Sequence, residues 1–148
     1  MKRLLRCVCF VLIAAMLLST TGLAVQTPGT YSLYFVSCCT WMYKLSDLTF
    51  EVGFDVTTKR TMDELGVRVL KVQRSEDGVS NWTTVKTYTP NIYPQMSDAN
   101  SFSHMDAVTF TGHFGYYYRS YAEFYATDST GTGIMYDYSE VVYIPPNT

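Results

Sequence analysis

The chain has 148 residues, of which 47% are apolar, 16% aromatic and 16% charged, with a formal net charge of −2. So many apolar and so few charged residues exclude a disordered chain, and the length suits one domain with a sizeable core. With no basic excess, neither nucleic acid nor an anionic lipid surface is an expected partner.

Residues 1–24 read as a cleaved secretory signal peptide. Lys2, Arg3 and Arg6 make a basic start, residues 7–18 are an unbroken apolar run, and Gly22 and Ala24 supply small residues for cleavage. The apolar run is short for a retained anchor, which needs roughly 20 residues. Cleavage after Ala24 removes three basic residues and no acidic one, leaving 25–148 as a single domain with a net charge near −5. The expected location is extracellular, without membrane attachment after cleavage.

Residues 25–30 form a polar lead-in, and 31–43, rich in Tyr, Phe, Val, Trp and Thr, read as a strand. In 48–57, Leu48, Phe50, Val52, Phe54 and Val56 alternate with polar residues and Gly53, the pattern of a strand with one wet face. Residues 58–66 are polar and read as a loop with one helical turn, Thr61 and Glu64 standing at capping-box spacing. Residues 67–88 read as a β-hairpin: Asp77-Gly78 supplies the turn and Trp82 closes it. Residues 89–105, with Pro90 and Pro94, form the longest irregular stretch and a candidate surface. A short strand over 106–111, a turn at 112–115, a long strand over 116–127, a flexible loop over 128–133 and a last strand over 134–144 follow, stopped by Pro145-Pro146. About seven strands at this spacing predict an all-β fold, an antiparallel β-sandwich, with a small closed β-barrel as the alternative.

Residues 115–133 and 138–142 together resemble the F–G hairpin of fibronectin type III and related immunoglobulin-like domains. That resemblance implies Tyr116 or Tyr118 at the tyrosine position, Ala122, Phe124 and Ala126 pointing inward, and Ser139 as the serine before the last strand. The family's Trp on the second strand is missing, and Phe50 and Phe54 stand in that strand instead. The MDELG segment at 62–66, the VQRSEDGVSNW hairpin at 72–82 and the GYYYR segment at 115–119 together resemble a family of small secreted proteins of unknown function from Firmicutes, chiefly Clostridia. This second resemblance implies a secreted bacterial β-sandwich and brings no catalytic residues with it.

Residues 75–82 also resemble the Asp-box of sialidase-like propellers, in which Asp77 would accept backbone N–H bonds across the turn and Trp82 would pack beneath it. A propeller repeats such a unit blade after blade, and here it occurs once, so Asp77, Gly78 and Trp82 read as a turn-stabilising device. Cys38 and Cys39 are the only cysteines after residue 24. Strand neighbours point to opposite faces, which leaves three readings: two free thiols, a strained vicinal disulfide, or a bridge between two chains. His104 and His113 are the only histidines, and no metal-ligand spacing, phosphate loop or nucleophile elbow accompanies them, so no metal, cofactor or catalytic residue is expected. Asn81-Trp82-Thr83 has the form of a glycosylation sequon.

The 116–127 strand offers the candidate binding face. With Tyr118, Ser120, Ala122, Phe124 and Ala126 inward, alternation turns Tyr117, Arg119, Tyr121, Glu123 and Tyr125 outward, and Tyr136 and Tyr138 of the next strand extend the stripe. Exposed Tyr and Arg suit a protein or glycan ligand. The expected function is therefore a secreted, non-enzymatic interaction module. The alternatives are a structural protein that self-assembles through edge strands or its cysteines, and a small carbohydrate-active enzyme.

Overall fold

The structure is a computed structural model that describes residues 33–146; the expected signal peptide over 1–24 and the lead-in over 25–30 lie outside the described residues. Seven strands, all paired antiparallel, form one hydrogen-bonded sheet: β1 Phe35–Lys44, β2 Thr49–Ser75, β3 Thr83–Tyr88, β4 Ser97–Thr111, β5 Tyr116–Asp128, β6 Gly131–Tyr138 and β7 Val142–Ile144. A single 3-10 turn, Pro94–Met96, precedes β4, and the described residues contain no α-helix.

The sheet is organised by β2, which is 27 residues long and changes neighbours along its length. Residues 49–57 lie between β1 and residues 103–111 of β4. Residues 64–75 lie against β5 on one side and, on the other, against the start of β4 and then β3. The expected loop over 58–66 is therefore strand throughout. Its polar residues conceal Met62 and Leu65, both buried, and pairing with residues 97–101 offers their backbone a better arrangement than one turn of helix. The bend between the two portions of β2 leaves a register shift against β4 between Thr57 and Met62. The Thr58 hydroxyl holds that bend, lying 2.8 Å from the Arg60 carbonyl and 3.0 Å from the Phe102 carbonyl.

The irregular stretch expected over 89–105 is likewise mostly strand, since β4 already begins at Ser97. Ser, Asn and Asp suit loops, but β2 provides a long template, and the misfit is confined to Asn100, whose φ is 54°. The last expected strand is divided at Ser139: its N–H donates to the Ser120 carbonyl, and its hydroxyl accepts from the Ser120 N–H at 2.8 Å.

The core follows from the alternation. Phe50, Val52, Phe54 and Val56 from the first portion of β2 are buried together with Leu65, Val67, Leu70 and Val72 from the second, and with Tyr118, Ala122, Phe124 and Ala126 of β5. A bulge between Val67 and Val69 resets the alternation, so that Leu70 rather than Val69 follows Val67 inward. The buried Tyr118 ring lies 5.9 Å from Phe50 and 5.6 Å from Phe110, and its hydroxyl accepts the His113 N–H at 2.9 Å. Edge strands β1 and β6 approach without forming a backbone ladder among the described residues, so the sheet curls but does not close as a barrel. Asp137 of β6 accepts the Thr40 N–H of β1 at 3.1 Å. The Thr40 hydroxyl donates to the Gly53 carbonyl and sits 2.8 Å from the Ser120 hydroxyl, joining β1 to the buried side of β5.

A candidate binding face on strands β2, β5 and β6

The face is laid out by register. Ser75, Gln73 and Lys71 of β2 stand opposite Tyr117, Arg119 and Tyr121 of β5, and Tyr121 and Glu123 stand opposite Tyr138 and Tyr136 of β6. Apart from Ser75, which is buried beneath the hairpin turn, these side chains lie on the side away from the core: Val72 of β2 and Tyr118, Ser120 and Ala122 of β5, which alternate with them, are the buried ones.

They assemble into a stack of rings and cations. The Arg119 guanidinium carbon lies 4.2 Å from the Trp82 ring and 4.4 Å from the Tyr138 ring, and its Nε donates to Gln73 Oε1 at 2.9 Å. Tyr138 in turn lies 5.0 Å from Tyr121, tilted by 53°, and Lys71 Nζ sits 5.4 Å from the Tyr121 ring. The order Trp82, Arg119, Tyr138, Tyr121, Lys71 places a cation at the end and another inside the stack, the arrangement that ring quadrupoles favour. Tyr117 stands apart, stacked on Tyr143 of β7 with centroids 4.5 Å apart. Tyr136 is 68% exposed and Tyr138 48%, so the β6 side of the face is open to solvent. Burial foremost, with Glu123 and the neighbouring tyrosines adding to it, raises the Tyr121 hydroxyl above its usual range.

Tyr125 departs from the expected stripe. It is only 9% exposed, and its hydroxyl donates to Glu64 at 2.6 Å. Burial, then that bond, pushes its pKa up to about 12. With Tyr125 covered, the open part of the face ends at Glu123, which pairs with Arg68 at 3.3 Å.

The hairpin turn supports the other end. Asp77 Oδ1 accepts the N–H groups of Val79 at 2.9 Å and Ser80 at 2.8 Å, and Oδ2 accepts the Ser80 hydroxyl. The Ser75 hydroxyl accepts from Gly78 N–H at 3.1 Å and reaches the Ser80 carbonyl. These bonds, the Ser80 hydroxyl foremost, hold the Asp77 carboxyl well below the usual carboxylate range. Gly78 has a φ of 71°, and a side chain there would meet the Tyr117 ring at 2.7 Å. Trp82 donates from Nε1 to the Val79 carbonyl at 3.3 Å, so the turn anchors the indole while its ring covers Arg119. An open recess of about 410 Å³ lies beside this turn, lined by Arg74, Glu76, Asp77, Asn81 and Tyr116 among others.

Sequence reasoning missed the membership of Trp82, Gln73 and Lys71 in this face. The signal was available for Lys71 and Gln73, which alternate with Leu70 and Val72, but the partner strand that brings Arg119 beside them is 46 residues away.

Among the described residues the two cysteines, Cys38 and Cys39, are not joined to each other in a disulfide. Cys38 points toward Met135, its sulfur 4.0 Å from the thioether, and burial foremost pushes its pKa up to about 11. Cys39 is exposed opposite Asp55, its pKa also raised, again chiefly by burial. His104 lies against the Gln95 carbonyl and the Phe54 ring, while His113 engages Tyr118 only through its backbone. Among the described residues no cluster of three or more His, Cys, Asp or Glu side chains is placed to hold a metal ion.

No protein-family model matches the chain, and a search of curated proteins returns no similar sequence.

Proposed function

We propose that the protein is a secreted, non-enzymatic interaction module that binds a protein or glycan ligand through the outer face of β5 and β6. The observation that carries this reading is the stack from Trp82 to Lys71. It holds an arginine and several aromatic side chains in fixed positions, while Tyr136 and Tyr138 keep their rings open to solvent. Rigid Tyr and Arg anchors contribute contact area at little entropic cost, which is why such residues dominate recognition surfaces.

The fold reading within this proposal is a β-sandwich of the immunoglobulin-like or fibronectin type III-like kind. Two features support it. Along β2, residues 49–57 pair with β1 and the end of β4, and residues 64–75 with β5, β3 and the start of β4, so the one sheet has two portions with different partners. The Tyr118 hydroxyl, near the start of β5, bonds back to the backbone of His113 five residues upstream, as in a tyrosine corner. Kinship with the small secreted Firmicutes proteins belongs to the same proposal, carried by residues 62–66, 72–82 and 115–119, as does export by residues 1–24.

The test is a pair of variants on one surface. The Tyr136→Ala, Tyr138→Ala protein is expected to keep its unfolding temperature within a few degrees, since neither ring belongs to the buried core. On a glycan array and against immobilised extracellular proteins it should lose at least about tenfold in affinity for whatever the unmodified chain binds, as hot-spot truncation does. Equal binding by both proteins sinks the proposal. Concentration-dependent mass in sedimentation, without ligand, supports the self-assembling alternative instead.

A further inference from the structure

The outer face of the other portion of the sheet, built on residues 49–57 of β2, carries a second set of aromatic side chains that the proposed function does not use. Trp41 and Tyr43 of β1 stand opposite Gly53 and Glu51, and residues 105–107 of β4 flank the same rows. Gly53 has no side chain, and the Trp41 ring occupies that space: a Cβ there would fall 2.3 Å from the indole. The indole is thus seated flat against the sheet. The Tyr43 ring lies 6.3 Å from it, tilted by 34°, and is 62% exposed. Together with Met105, 68% exposed, and Glu51 they line an open groove of about 560 Å³.

Charge decides what such a groove accepts. Its lining holds two aromatic rings, Glu51 and Asp106, and no basic side chain. Glu51 forms no ion pair among the described residues, and the nearby Lys44 is engaged with Asp47. Elsewhere in the molecule a Lys or Arg lies over the rings of Trp82, Tyr88, Tyr116, Tyr121 and Tyr138; Trp41 and Tyr43 have no such partner among the described residues. A cation seated above the midpoint of the two rings would lie within the reach of about 6 Å over which ring faces attract positive charge. The groove supplies two carboxylates against soft apolar walls, and one of them, Asp106, already accepts the Ala107 N–H at 2.7 Å. That favours a weakly hydrated cation over a primary ammonium, which would forfeit its water shell.

We infer that the groove of Trp41, Tyr43, Glu51 and Met105 is a binding site for a quaternary ammonium group, separate from the β5–β6 face. The probe is choline chloride, titrated into isotope-labelled protein while the indole N–H resonances of Trp41 and Trp82, the chain's two tryptophans, are followed. A saturable shift at Trp41 is expected, with little at Trp82. The neutral isostere 3,3-dimethylbutan-1-ol and the primary amine Nα-acetyl-lysine methylamide should each bind at least about tenfold more weakly, the scale of a desolvated cation–π contact. Tyr43→Ala and Glu51→Gln, both at solvent-facing positions, should each weaken choline by several-fold. The inference is overturned if the alcohol or the lysine derivative equals choline, if either variant binds as before, or if the shift appears at Trp82 instead.

Discussion

Gly78 and Asp77 show how one residue's chemistry fixes the geometry of several others. Gly78 takes a φ of 71° directly beneath the Tyr117 ring. Gly78→Val must place a β-branched side chain in a left-handed conformation and push that ring aside, at a cost of about 1–2 kcal/mol or more. Chemical denaturation should show the loss, and an unchanged midpoint would contradict the hairpin geometry. Asp77 leads to a pH prediction. Its folded-state pKa is lowered from 3.8, so the carboxylate's contribution is complete above that value and is lost as pH falls toward the folded pKa. Asp128, brought to about 2 by the Thr130 hydroxyl and N–H and by Arg60, acts in the same direction. Asp77→Asn should therefore lower stability at neutral pH and flatten its decline below pH 4, measured as urea midpoint against pH. At this scale the sequence was highly legible. Asp-Gly announces its turn, and the family likeness narrows the buried tyrosine to Tyr116 or Tyr118, of which Tyr118 is the buried one. Legibility ended where a side chain served two purposes, as with Trp82, whose local bond to Val79 hides its packing on Arg119.

Among the elements, β2 accounts for most of what could not be read. Residues 58–66 carry Thr, Lys, Arg, Asp and Glu, a composition suited to a loop, and nothing local reveals that β4 will lie alongside. Long-range pairing overrode propensity there, as it did at residues 97–105. One residue in the segment did carry the information. Gly66 lets the backbones of β2 and the 94–96 turn approach so closely that a Cβ would lie 2.2 Å from the Met96 carbonyl oxygen. Gly66→Ala should cost about 1–3 kcal/mol, because backbone rather than a movable side chain must yield. Differential scanning calorimetry would detect it. A fully stable variant would mean that the two elements do not touch.

The whole molecule should respond to alkali through its tyrosines. Burial foremost pushes Tyr88 and Tyr125 up to about 12, from 10 for a free side chain; Tyr93 beside Tyr88 and the Glu64 bond of Tyr125 add to it. Because the folded pKa is raised, the stabilisation is complete below pH 10 and is lost as pH rises through about 12. Spectrophotometric titration should find Tyr88 and Tyr125, and Tyr121 with them, ionising above the usual phenol range, with unfolding in the same window. Tyr125→Phe should remove one of them and make the alkaline limb less steep. Titration of all tyrosines near pH 10 in folded protein would contradict the burial of both rings.

The continuity of β2 has a consequence for how the molecule comes apart. One covalent strand is a central member of both portions of the sheet, with no linker between them where one could loosen while the other holds. Loss of either portion strips pairing partners from the same backbone, so melting should be a single all-or-none event, with no half-folded species to accumulate. A protease that reaches the chain only through such full opening would report global unfolding rather than a local weak point, and ligand occupancy on either face would slow cleavage everywhere at once.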